Sequence, residues 1–125
     1  MGAEASKISV VLWEKIEPSK AMGKFGDMLA EGEYVELSYI AKRDRLIFTN
    51  KRVLIINVQG LMGTKVDFHT IPYSKISSFS VETSGTFDLE SELKLWVSGL
   101  SGVEIQFIKG LDIREVGRYL TNKLI

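Results

Sequence analysis

Between Arg45 and Asn57 the chain reads Arg-Leu-Ile-Phe-Thr-Asn-Lys-Arg-Val-Leu-Ile-Ile-Asn, two apolar runs parted by Asn50-Lys51. Runs this short, rich in β-branched residues and broken by a polar turn, predict antiparallel strands over about 45–49 and 52–58. The second run is apolar at Val53, Leu54, Ile55 and Ile56 in succession, whereas a strand with one solvated face should alternate. Something besides the core beneath this hairpin must cover its other face. Two covers are open: an N-terminal helix of the chain, or a neighbouring subunit.

A two-residue period surrounds the hairpin. Val35, Leu37 and Tyr39 alternate with Glu36, Ser38 and Ile40, giving a strand with one largely polar face, and Ala41–Asp44 is a polar turn. Further strands are expected over about 64–70, ended by Ile71-Pro72, and over about 76–83, with Phe79 and Val81 inward. After a connection carrying Phe87 and Leu89, Leu93, Leu95 and Val97 share one face of a strand and Lys94, Trp96 and Ser98 the other. Gly99–Gly102 turns the chain into a last strand with Val103, Ile105 and Phe107 inward. The period then lengthens. Ile113, Val116, Leu120 and Leu124 form one helical stripe, opened by Asp112 with Glu115 three residues on, a variant of the capping box.

Two helices are expected before the strands. Ile8, Val11, Leu12 and Ile16 fit a helix over 7–16, with Ser6 as a cap, although Ile8, Val10 and Leu12 also alternate as a strand would. Met22, Phe25, Met28 and Leu29 fit a second over 19–31 that docks its apolar stripe on the sheet. Residues 1–31 are thus read as a helical extension. Residues 32–125 are read as a mainly β domain, a seven-stranded antiparallel barrel or sandwich capped by a C-terminal α-helix.

The chain offers little for catalysis. It has no cysteine and a single histidine, His69, so thiol chemistry and multi-histidine metal sites within one chain are excluded. No glycine-rich loop precedes a helix, no serine stands in a nucleophile elbow, and Asp88, Glu90 and Glu92 lack the twelve-residue calcium pattern. No catalytic residue, metal or cofactor is expected. Sixteen basic side chains balance sixteen acidic ones, so nothing draws the whole chain to nucleic acid or anionic lipid. No apolar run approaches the roughly 20 residues of a membrane span. Met1-Gly2-Ala3-Glu4-Ala5-Ser6 fits the loose myristoylation pattern and is read as chance. A cytoplasmic protein is expected.

Several segments in order resemble the bacterial pleckstrin-homology (PH) domains: Ala30-Glu-Gly-Glu33, Arg43-Asp44, Phe48-Thr-Asn-Lys-Arg52, Ile71-Pro-Tyr73, Phe79-Ser-Val-Glu-Thr83 and Phe87-Asp-Leu89. Glu92-Leu-Lys-Leu-Trp-Val-Ser-Gly99 and Gly110-Leu-Asp-Ile113 continue the series. The resemblance covers roughly residues 30–125. It implies a PH-like barrel without catalytic activity, assembly into cyclic homo-oligomers, and a hydrophilic surface near the subunit junctions that binds other, unidentified proteins.

Two sets of site candidates follow. Ile47, Val53, Ile55, Trp96 and Ile108 are the candidate subunit or partner surface; Trp96 and Ile108 are expected as neighbours on the outward face of the last two strands, covered either by residues 7–16 or by a subunit contact. Lys42, Arg43 and Arg45 at one hairpin turn, and Lys51 and Arg52 at the next, are candidates for an anionic ligand. Lipid-binding PH domains grip inositol phosphates with basic residues of the first hairpin loop, so a peripheral membrane adaptor is the alternative function. Asp44 within the set and its small size argue against it, since each basic residue adds only about 1 kcal/mol near a membrane.

Overall fold

A computed structural model of the chain describes residues 8–85, 90–108 and 110–125. All seven expected strands are present: β3 (Val35–Ile40), β4 (Arg45–Thr49), β5 (Arg52–Gln59), β6 (Lys65–Pro72), β7 (Ile76–Glu82), β8 (Glu90–Val97) and β9 (Leu100–Ile108). The C-terminal helix is α1 (Ile113–Leu124). The expected N-terminal helix is not there. Residues 8–15 instead form β1 (Ile8–Leu12) and β2 (Glu14–Lys15). Ile8, Val10 and Val11 are β-branched, and the alternation that buries Val10 and Leu12 while exposing Val11 prevails once β9 offers an edge to pair with. Ser6, Phe87 and Leu89 lie outside the described residues.

The chain divides into two compact units. The unit spanning Leu12–Pro72 is a five-stranded antiparallel sheet in the order β2-β3-β4-β5-β6. Leu46 pairs with Ile55, Ile47 with Leu54 and Phe48 with Val53, so Ile47, Leu54 and Ile56 share one face and Leu46, Phe48, Val53 and Ile55 the other. Both faces are buried within the single chain.

The first of these faces is covered by residues 16–29, the chain's own N-terminal segment. The expected helix over 19–31 is replaced by two 3-10 turns, Pro18–Lys20 and Gly23–Met28. Gly23 has φ +51°, a left-handed conformation that ends α-helical continuation, and the backbone is non-helical again at Phe25. The apolar stripe nevertheless docks as expected. Ala21, Met22 and Phe25 cluster with Ile47, Leu54 and Ile56, and the Phe25 ring meets Phe68 edge-on at 5.4 Å between centroids. Ser38, on the same face and read from sequence as solvated, is buried; its hydroxyl donates to the Ile16 carbonyl at 2.9 Å.

The other unit, residues 8–11 and 73–125, is a sheet in the order β1-β9-β8-β7 with helix α1. Leu93, Leu95, Val103, Ile105 and Phe107 are buried, as the alternation requires, and so are Ile113, Val116 and Leu120 of the helix. Asp112 caps α1 by accepting from the Arg114 amide at 3.0 Å. Further along, the Tyr119 and Tyr73 hydroxyls share a hydrogen bond of 3.0 Å.

Candidate functional site

The β4–β5 turn holds the densest polar network described. Glu33, just before β3, is buried, and its carboxylate takes both prongs of the Arg52 guanidinium: Nε at 2.8 Å from Oε2 and Nη2 at 3.0 Å from Oε1. Thr49 donates its hydroxyl to Oε2 at 2.6 Å, and the Ala30 amide donates to Oε1 at 2.9 Å. The Thr49 oxygen in turn accepts from the amides of Lys51 and Arg52, at 3.1 and 3.0 Å. Asn50 completes the turn, accepting from the Tyr34 amide at 2.9 Å and donating to the Gly32 carbonyl at 3.1 Å. Burial alone would push the Glu33 carboxyl up. The Arg52 fork, the Ala30 amide and the Thr49 hydroxyl outweigh it and bring the pKa down to about 2.

Arg52 is therefore committed. Nη1 donates to Thr70 Oγ1 and Nη2 also donates to the Met28 carbonyl, each at 2.7 Å. Arg45 is engaged too, donating to the Ala21 carbonyl at 2.6 Å with its guanidinium 5.8 Å from the Phe25 ring centre. It clamps the 3-10 segment, where the φ of +51° at position 23 favours glycine and a Cβ would also crowd that guanidinium at 3.2 Å. Arg43 donates to the Gly60 carbonyl. Lys42 and Lys51 are exposed. The two turns sit at opposite ends of five-residue β4, about 17 Å apart, so the five basic residues are not one patch.

The apolar candidates separate as well. Ile47, Val53 and Ile55 are buried and are not on the surface of the chain. Trp96 and Ile108 are on it, 42% and 37% exposed. They are not neighbours: Ile108 faces Glu90 and Trp96 pairs with Ser78. The turn at 98–99 fixes a register that leaves Trp96 and Ile108 at opposite ends of the hairpin, about 20 Å apart. Trp13 and Tyr34, not singled out by periodicity, are 51% and 58% exposed.

Among the described residues, two clefts on the surface bear on function. One, about 410 Å³, lies over the Glu33–Arg52 pair and is lined by Met28, Ala30, Lys51, Thr70 and Pro72. The other, about 530 Å³, runs between β7 and α1; Phe79 and Val81 form its strand wall and Arg114, Gly117, Arg118 and Thr121 its helix wall. His69 is half-buried on β6 opposite Ile55. Among the described residues no three acidic or imidazole side chains converge as a metal site, and no helix is long and apolar enough to cross a membrane. Asp88 lies outside the described residues, and Glu92 pairs with Lys94 at 3.5 Å.

Sequence reasoning gave Glu33 no role beyond its place in the Ala30-Glu-Gly-Glu33 segment. It also missed the β7–α1 cleft, whose one local sign is a glycine, Gly117, inside the best helical stripe of the chain.

Comparison with other proteins places these features. The profile of the family described as "Bacterial PH domain" matches residues 6–124. The Bacillus subtilis protein YjqA is 47% identical over 95 residues, covering 74% of this chain and 76% of its own length. A crystal structure of a DUF1696 family protein with a pleckstrin-homology domain from Shewanella loihica is similar with TM-score 0.79 and 34% identity, covering 99% of this chain and all of that one. A pleckstrin homology domain from Shewanella amazonensis is similar with TM-score 0.72 and 35% identity, covering 88% of this chain and 90% of that one.

Proposed function

This chain belongs to the bacterial PH domain family, and on that premise we propose that it is a non-catalytic cytoplasmic module that assembles into a cyclic homo-oligomer and mediates protein–protein interaction. The observation that carries the reading is Trp96, a large ring 42% exposed on the outward face of β8. An aromatic side chain left in water on a sheet face is the kind of anchor that interfaces bury. Repeated heterologous contacts that close on themselves satisfy such surfaces in every subunit of a ring.

The membrane-adaptor alternative is weaker. Arg52 donates four bonds and Arg45 one inside the chain, and the other basic residues of the two turns are divided between the ends of a strand. Light scattering on the purified chain at micromolar concentration tests assembly. A mass several times 14.0 kDa is expected, and a clean 14.0 kDa monomer would sink the ring.

A further inference from the structure

β7 is the outer strand of its sheet, with β8 on one side and no strand on the other among the described residues. Alternate residues of an outer strand turn their amide and carbonyl groups away from the neighbouring strand, where they can accept another chain. Seven residues long, β7 has Ser78, Ser80 and Glu82 exposed on one face and Phe79 and Val81 half-buried on the other. That second face looks into the cleft beside α1. At about 530 Å³ the cleft has the size of a ligand site, which typically falls at roughly 300–1,000 Å³.

The helix wall has a feature that stability does not account for. Arg114, Gly117, Arg118 and Thr121 are spaced i, i+3, i+4 and i+7 and line the cleft together. Glycine in a helix interior costs about 1 kcal/mol relative to alanine. Gly117 does not have a positive φ, and a Cβ there would meet the Val81 methyls at 3.4 and 3.5 Å, ordinary van der Waals contact. Neither backbone geometry nor close packing demands a glycine. What it does is keep the helix wall flat.

We propose that this cleft takes an extended segment of a partner protein, which adds to β7 as a further strand, sets alternate apolar side chains against Phe79, Val81 and Gly117, and presents a carboxylate to Arg114 and Arg118. Charge complementarity selects this occupant: the charged residues lining the cleft are both arginines. Among the described residues Arg118 has only an exposed 3.6 Å pairing with Asp112, weak enough to exchange for an incoming carboxylate. Main-chain pairing then supplies affinity, and the alternating side chains supply selectivity. The chain's own outer strands fit less well, since β1 carries no carboxylate, β2 has two residues, and β6 brings Lys65 along with its acid. The proposal deepens the reading as an interaction module and does not depend on the ring.

The test pans a phage-displayed library of random twelve-residue peptides against the full-length chain, then titrates the most enriched peptide into ¹⁵N-labelled protein. Enriched sequences should alternate apolar residues and carry Asp or Glu. Amide shifts should concentrate in residues 76–82 and 113–122. Gly117→Leu, which fills the cleft, and Arg114→Glu, an exposed change that leaves packing alone, should each weaken binding about tenfold or more. Absence of enrichment, sequences without acidic residues, shifts elsewhere, or unchanged affinity in a folded Arg114→Glu chain would each overturn the proposal. So would β7 shifts produced by dilution alone, which would mark a second copy as the occupant. Light scattering on the same samples keeps the two ideas apart: a monomer that selects such peptides retains the cleft and loses the ring, and a ring that selects none does the reverse.

Discussion

At the residue scale the motif Thr49-Asn-Lys-Arg52 is a folding device. Thr49 and Asn50 tie their own turn to residues 32–34, and Arg52 offsets the burial that would otherwise push the Glu33 carboxyl towards its neutral form. Breaking such a pair on one side strands the other charge, at a cost of about 3–5 kcal/mol. Glu33→Gln keeps the shape and some hydrogen bonds, so its expected cost at pH 7 is about 2–3 kcal/mol in urea unfolding. The pH dependence has a definite sign. The folded pKa of Glu33, about 2, lies below its ordinary 4.5, so its contribution is complete above pH 4.5 and is lost as pH falls towards 2. The native chain should therefore shed about 3 kcal/mol through this group across that window. The variant should not, and the stability difference between them should shrink towards pH 2. A gap that stays constant would show that Glu33 is not ionised in the fold. Nothing in the sequence announced this pair, because its members stand 19 residues apart and only the β3–β4–β5 register brings them together.

At the scale of elements, local period decided what could be read. The strands from Val35 to Ile108 and helix α1 were legible because alternation and the i, i+3, i+7 stripe are properties of adjacent residues. The N-terminal segment was not, since Ile8, Val10 and Leu12 satisfy one period and Ile8, Val11 and Leu12 the other. The choice is made by β9 (Leu100–Ile108), far from Ile8–Leu12 in sequence. Gly23 likewise falls within the helix expected over 19–31 and is instead a left-handed bend under the Arg45 guanidinium. Gly117 is the contrary case, a true helical glycine that neither the backbone nor Val81 requires. Gly117→Ala should accordingly raise stability by about 0.5–1 kcal/mol in thermal or urea unfolding, because alanine restricts the unfolded chain and fits the space beside Val81. A destabilised alanine variant would mean that β7 and α1 approach more closely than ordinary contact.

For the whole molecule the relevant numbers are a net charge of zero and a pI near 6.6. Near neutral pH such a chain has no field to gather anionic lipid and no mutual repulsion to keep copies apart. The first point predicts that vesicles rich in phosphatidylserine will sediment no more of the protein than neutral vesicles at low salt, because Lys42 and Lys51 stand at opposite ends of β4 and cannot add their attraction. Selective sedimentation with anionic vesicles, lost on Lys42→Glu, would restore the adaptor reading. The second point places the burden of the proposed assembly on apolar side chains at the surface. Ile47, Val53 and Ile55 are spent inside the chain; Trp96 is not, and its exposure means that a polar replacement removes an anchor without opening a cavity. Trp96→Glu should therefore keep the thermal midpoint within a few degrees while its scattering mass at micromolar concentration falls from a multiple of 14.0 kDa towards 14.0 kDa itself. If the folded variant retains the mass of the native assembly, subunits meet elsewhere, and Trp96 is left as a contact for some other protein.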